Sequence, residues 1–401
     1  MKATLLNTQR YKKAREIARY YGFSPLSSIL SEIPAQKGRH LNLGKEGVPG
    51  EASRQNLLEA YVRYNLGTLP QPLLIYHSEP LPKQLERSEY GGKDGVMFSL
   101  EIIGSNKSIS EAILFKTTNI ILEEFGFEKL YTEINSLGDR ESIARFSREF
   151  SNYCSKHLSE IPANCRAHLK KKDVFRTLEC VNAHEKCSIL TEGAPKPMGS
   201  LSETSRTHFS EVLEFLESMG MPYAINHCLV GGKEFYTKTI FEIHTESPEH
   251  KKTRGKLASS LLAKGGRYDD LSKKFGSKKE IPAVGISLSL GGLGLAEPKK
   301  EILKPKAPAA YLIQLGFDAK LQSLAAIEVL RQAKIPVLQA LPKDRMSAQI
   351  MVAEKMSIPY TIIIGQKEAL EGSAIVRDMK TRSQETIPLP KLPEYLKQSR
   401  H

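Results

Sequence analysis

The 401-residue sequence has no run of about 18 apolar residues, which excludes an ordinary transmembrane helix. Its N-terminus, MKATLLNTQRYKKAREIARYYGF, lacks the apolar core of a secretory signal, so a cytoplasmic location is expected. Cysteine is scarce. Five residues in 401 are too few for a disulfide scaffold and fit a reducing compartment. There is no internal repeat and no low-complexity tract. No P-loop, no dinucleotide-binding fingerprint and no serine-hydrolase elbow occurs.

What is present suits a soluble protein of two or three domains. The chain is 40% hydrophobic and 26% charged, enough apolar residue for real cores. Lysine and arginine (58) exceed aspartate and glutamate (45), giving +13. That excess favours contact with a polyanion such as RNA, and it equally describes a solvated basic surface. Part of it lies in Lys170–Lys172 and Lys251–Lys256, which could meet phosphates. The stretch from Pro308 onward holds 13 basic and 9 acidic residues, so it is not an unusually basic module.

Apolar spacing predicts a helix over Tyr11–Tyr21, with Ala14, Ile17, Ala18 and Tyr21 on one face. Gln55–Leu66, Glu111–Glu124 and Thr204–Met219 read as further helices. Leu73–Tyr76, Met97–Ile103, Leu130–Ile134, Tyr223–Asn226, Glu234–His244 and Ala283–Leu290 read as strands. The polar stretches Gln36–Gly50 and Glu79–Gly95 read as loops. Strand clusters separated by helical blocks argue for an α+β fold. The segment EPKKEILKPKAP within Ala296–Pro308 reads as a linker. Beyond it, strands and helices alternate as in a compact α/β domain. Leu122, Phe125, Val284, Ile286, Leu312, Ile362 and Ile364 are expected in the cores.

Several ordered segments resemble the histidyl-tRNA synthetases, class II aminoacyl-tRNA synthetases of subclass IIa. LVGGKEFYTKTIFE (Leu229–Glu242) resembles the first histidine signature, typically LVRGLDYYxRTVFE. KGGRYDDL (Lys264–Leu271) resembles the second, GGRYDGL. PAVGISLSLGGL (Pro282–Leu293) occupies the place of motif 3, typically PAVGFAxGLERL. INSLG (Ile134–Gly138) and Thr204–Leu216 also match family-like text. The C-terminal part resembles the anticodon-binding domain, including Gly365–Glu368 and Val376–Lys380. The likeness is convincing over about Leu100–Leu396 and weak over the first hundred residues.

The resemblance implies an antiparallel class II sheet flanked by helices. Residues 1–295 would form the catalytic-like core, with a helical insertion at about 140–218. Residues 296–308 would be the linker and 309–401 a five-stranded anticodon-binding-like domain. It also implies adenylate chemistry, in which negative charge converging at ATP needs preorganised cations. Arginine serves best, through its planar, permanently charged fork. The family uses three such arginines, and here all three positions differ. The signature arginine is Gly231. The motif 3 arginine is Gly292, preceded by Gly291 in place of an acidic residue. The motif 2 arginine falls on Lys83 or on His77, depending on whether Glu101 or Glu79 anchors the count. Arg87, Lys93, Lys233 and Lys238 are nearby cations.

Other departures are Ile29 in place of the motif 1 proline and Met97 in place of a motif 2 glutamine. The histidine-pocket loop, RPEGT in the family, is not found. The pocket wall survives: Glu101, Tyr236, Lys238, Gly265, Gly266, Arg267 and Tyr268. On a regular strand, Tyr236, Lys238 and Glu242 would share a face. Gly265–Gly266 would allow close backbone approach, and GGRYD could equally persist as a fold-organising turn.

Gln366, Lys367 and Glu368 are the expected RNA contacts. Cys180, His184 and Cys187 form a C-x₃-H-x₂-C cluster, but zinc would need a fourth ligand and no metal is expected there. Three readings follow. One is a paralogue impaired in adenylation that binds tRNA or a protein partner. Another is a divergent active histidine–tRNA ligase, which alone would need ATP and Mg. The third is a histidine-sensing regulator like the ATP phosphoribosyltransferase regulatory subunit, which usually lacks the appended domain present here. Family members are homodimers, and the same is expected here.

Overall fold

The computed structural model describes residues 9–31, 51–80, 96–183, 193–231, 235–246, 259–290, 308–343 and 345–398. The first part runs α1 (Gln9–Tyr20), β1 (Ser24–Pro25), α2 (Leu26–Ser31), α3 (Glu51–Arg63), β2 (Leu73–Pro80), β3 (Val96–Ile103) and α4 (Ile109–Glu124). It continues through β4 (Leu130–Gly138), α5 (Arg140–Lys156), α6 (Ala163–Lys170), α7 (Val174–Asn182) and α8 (Glu203–Ser218). Strands β5 (Tyr223–Ile225), β6 (Thr237–Glu246), β7 (Ser259–Arg267) and β8 (Ala283–Ser289) complete it.

These eight strands form one mixed sheet in the order β1-β2-β3-β8-β7-β6-β4-β5. The interior pairings are antiparallel. Only the edge pairs β1–β2 and β4–β5 are parallel. Period-two alternation assigns the side chains to two faces. One face carries Phe98, Leu100, Ile102, Phe241 and Val284 in a core shared with α1, α4 and α8. The other carries Ile75, Ile103 and Ile240, packed with Leu57, Leu58 and Tyr61 of α3. Strand β3 is buried along its whole length because both faces are covered.

Two helix starts are tied by one carboxylate. Asp139 accepts from Ser142 N at the head of α5 (2.9 Å). Its other oxygen takes the hydroxyls of Ser202 (2.6 Å) and Ser205 (3.2 Å) at the head of α8. Burial alone would raise its pKa, but these hydrogen bonds outweigh it and hold the carboxyl down to about 2.

The second sheet has the order β10-β9-β11-β12-β13. Its elements are β9 (Ala310–Gln314), α9 (Phe317–Gln332), β10 (Val337–Gln339), α10 (Met346–Lys355), β11 (Tyr360–Ile364), α11 (Gln366–Glu371), β12 (Ser373–Asp378), β13 (Gln384–Pro388) and α12 (Leu392–Gln398). Strands β10, β9 and β11 are parallel, while β12 and β13 are antiparallel. Helix α1 bridges to this unit. Tyr20 Oη donates to the Ile335 carbonyl (2.9 Å), and Tyr21 Oη to Glu328 (3.0 Å). All seven expected core residues are buried.

Three details depart from the sequence reading. Strand β7 was not anticipated, because Gly265–Gly266 weakens its strand signature. The pair is required by packing: a Cβ at Gly265 would lie 2.4 Å from the Gly285 carbonyl. Tyr236, Lys238 and Glu242 do not share a regular face. Strand β6 begins only at Thr237, its pairing slips between Thr237 and Ile240, and Lys238 adopts φ 51°. Cys180 is bonded to Cys165, linking α6 to α7, so it is not free to ligate zinc. His184 and Cys187 lie outside the described residues.

Candidate functional site

A row of polar residues crosses the α3 face in register. His77 on β2 opposes Ser99 on β3, Ser99 opposes Ser287 on β8, and Ser287 opposes Lys264 on β7. Lys264 opposes Glu242 on β6, and Glu242 opposes Glu133 on β4. The neighbouring row contains Glu101, Gly285 and Gly266. Polar residues so placed on a buried face imply a binding floor or a set of internal partners.

The partner is Arg54. It is one helical turn before Leu57 and Leu58 on the buried stripe of α3, and its side chain is 1% exposed. Its Nε donates to Glu101 Oε1 (3.0 Å) and its Nη1 to Tyr236 Oη (3.2 Å). Its Nη2 donates to Ser287 Oγ (2.8 Å) and the Lys264 carbonyl (3.4 Å). The Ser287 and Ser99 hydroxyls share a 2.8 Å hydrogen bond. Tyr268 Oη donates to the second oxygen of Glu101 (2.7 Å). A Cβ at Gly285 would fall 1.5 Å from that oxygen, so only glycine leaves room for the Glu101 carboxylate.

Burial pushes Glu101 up to about 7 against the pull of Arg54. His77 is buried, and its ring nitrogens make no hydrogen bond among the described residues. Burial, then the Arg54 charge, lowers it to about 4, so it is a neutral imidazole at pH 7. Gly231 has φ +68°, and a Cβ there would lie 2.6 Å from the Tyr236 ring and 2.8 Å from Ile240. No larger side chain fits without moving both neighbours.

The family described as histidyl-tRNA synthetase matches residues 88–293, and the one described as anticodon binding domain matches 310–399. A histidine–tRNA ligase of Fervidobacterium nodosum is 34% identical over 399 residues, covering 93% of this chain and 90% of that protein. This chain belongs to the histidyl-tRNA synthetase family. The same enzyme from Halothermothrix orenii is 30% identical, covering 89% of this chain and 81% of that one. The apo Staphylococcus aureus histidyl-tRNA synthetase has the same fold, with a TM-score of 0.52 at 22% identity over 97% of this chain and 95% of that one.

The histidyl-tRNA synthetase motif residues divide between the two faces of the sheet. Glu101, Tyr236 and Tyr268 converge on Arg54. Gly266 lies beneath Tyr236, where a Cβ would come within 2.6 Å of the ring. Arg267, next along the strand, points to the opposite face. It is fully buried and bonds Glu111 twice (2.7 and 2.9 Å), the Ser105 carbonyl (2.9 Å) and Asp269 (3.3 Å). Lys238 reaches Asp269 (2.9 Å). Arg267 and Lys238 therefore organise the GGRYD turn and do not join Arg54, Glu101 and Tyr236.

Gln366 and Lys367 are exposed at the start of α11, and Glu368 turns back to accept from Gly365 N (2.9 Å). Lys83, Arg87, Lys93, Lys233, Gly291, Gly292 and Lys251–Lys256 lie outside the described residues. The sequence reading passed over Arg54, Ser99, Gly285 and Ser287. A charged residue heading an apolar helical stripe was the available signal for Arg54.

Proposed function

We propose that this family member is impaired in adenylation and acts as a tRNA- or protein-binding, regulatory paralogue. The observation that carries the reading is Arg54. Its guanidinium is held by Glu101, Tyr236 and Ser287, on the pocket-wall positions expected to take the amino acid. A ligand must displace a buried charge and leave Glu101 to find another partner, which is costly.

Two positions where the family carries a cation also argue for this reading: Gly231, and His77 on the count anchored at Glu79; the alternative, Lys83, lies outside the described residues. Gly231 has no space for a side chain, and His77 is neutral. Both features weigh against an ATP triphosphate held in the family manner. By analogy with other electrostatic donors, each lost cation would cost about two to three orders of magnitude in rate.

The retained anticodon-binding family match at 310–399 favours a tRNA partner. We assign 1–295 to the catalytic-like core and 309–401 to the anticodon-binding-like unit, joined by residues 296–308. A cytoplasmic homodimer is part of the same proposal. The competing reading, an active histidine–tRNA ligase needing ATP and Mg, is favoured by relatives 34% and 30% identical that are named as histidine–tRNA ligases.

Histidine-dependent ATP–pyrophosphate exchange on the folded chain decides between them. The proposal expects background exchange together with measurable tRNA binding by filter retention. Histidine-dependent exchange near that of an authentic ligase would overturn it.

A further inference from the structure

The Glu133 end of the polar row holds a second constellation. Glu133 on β4 and Glu242 and His244 on β6 each offer one ligand atom, and these atoms lie within 4.8 Å of one another. We propose that these three side chains bind a divalent first-row cation of the zinc class.

The donor set is two carboxylates and an imidazole, with room for exchangeable ligands. His244 is 8% exposed, and neither ring nitrogen makes a hydrogen bond among the described residues. Its Nε2 stands 3.4 Å from Glu242 Oε2. Tyr131 stacks on the ring at 5.3 Å between centroids, which fixes its plane.

Each carboxylate is also held by a neighbour. Lys264 Nζ holds Glu242 Oε1 (3.0 Å), and Asn226 Nδ2 holds Glu133 Oε2 (2.7 Å). Outer partners of this kind set ligand geometry in metal sites. Glu133 also lines a cavity of about 390 Å³ with Lys196, Asn226, His227 and Cys228, which supplies an entry path.

The test is equilibrium dialysis of the chelator-stripped full chain against Zn²⁺, followed by substitution with Co²⁺. The expected result is one Zn²⁺ per chain. His244→Ala and Glu133→Gln should each weaken it at least about tenfold, and Cys228→Ser should leave it unchanged. The Co²⁺ spectrum should lack thiolate charge-transfer bands. Circular dichroism confirms folding, and Glu133→Gln, which keeps size and an acceptor for Asn226, carries the test if His244→Ala does not fold. No retained Zn²⁺, retention unchanged in both ligand variants, or a thiolate band would overturn the proposal.

Discussion

The large sheet buries an arginine–glutamate pair on each face, and the two pairs behave in opposite ways. Glu111 receives two bonds from Arg267 and one each from His208 (2.8 Å) and Thr239 (2.9 Å). Burial alone would raise its pKa, but this company holds it well below the ordinary carboxylate range. Glu101 receives one bond from Arg54 and one from Tyr268, and burial prevails. The same two residue types therefore give a saturated strut on one face and a partly compensated pair on the other. Burial is alike; what separates them is the company, Arg267 and His208 with four donated bonds at Glu111 against Arg54, a repelling Glu79 and two donated bonds at Glu101.

The largest break in this comparison should come from Arg267→Ala. It strands the Glu111 charge and should cost about 3–5 kcal/mol in urea unfolding. Arg54→Met should cost less, about 1–3 kcal/mol, because Glu101 already accepts a proton near neutrality. The cost should be larger at pH 8 than at pH 6. Parallel melts of the two variants with equal losses would sink the distinction.

The pH dependence sharpens the same contrast. Glu101 has a raised folded pKa, so its contribution to stability falls as pH rises from about 4.3 toward 7. Glu111 has a depressed one, so its contribution is present above about 4.3 and is lost as pH falls below that.

The smallest effect is away from both pairs. Asp139→Ala should cost about 1–2 kcal/mol at pH 7 through the lost cap of α5 and the lost bonds to Ser202 and Ser205 at the head of α8. That difference should shrink as pH drops from about 4 toward 2 in matched thermal melts, because the wild-type carboxyl itself becomes protonated.

The architecture was legible where one period dominated. The stripe Ala14, Ile17, Ala18, Tyr21 and the strands around Val284 and Ile362 lie where spacing placed them. Legibility failed where pairing across the sheet decides the outcome. Gly265–Gly266 weakens a strand locally and is demanded by the neighbouring Gly285 backbone. The slip in β6 is invisible without its partners, so Lys238 was placed with Tyr236 when it belongs with Asp269. The Cys165–Cys180 bond was equally hidden, since scarce cysteines offer no pairing pattern. At the site, Glu101, Tyr236 and Tyr268 were readable from motif text. Arg54 was not, because a lone arginine heading an apolar helical stripe does not reveal which buried partners await it across the sheet.

Gly231 has a further consequence, for evolutionary reversibility. Its backbone conformation and the contact with Tyr236 mean that an arginine placed there alone would be strained and would have to push the ring and Ile240 aside. The ring, Ile240 and the local chain path would have to move together, each step disfavoured without the others. On the proposed reading, a laboratory selection for ligase activity beginning from this sequence faces a ratchet at this position, and gains should arise by placing a cation elsewhere on the sheet.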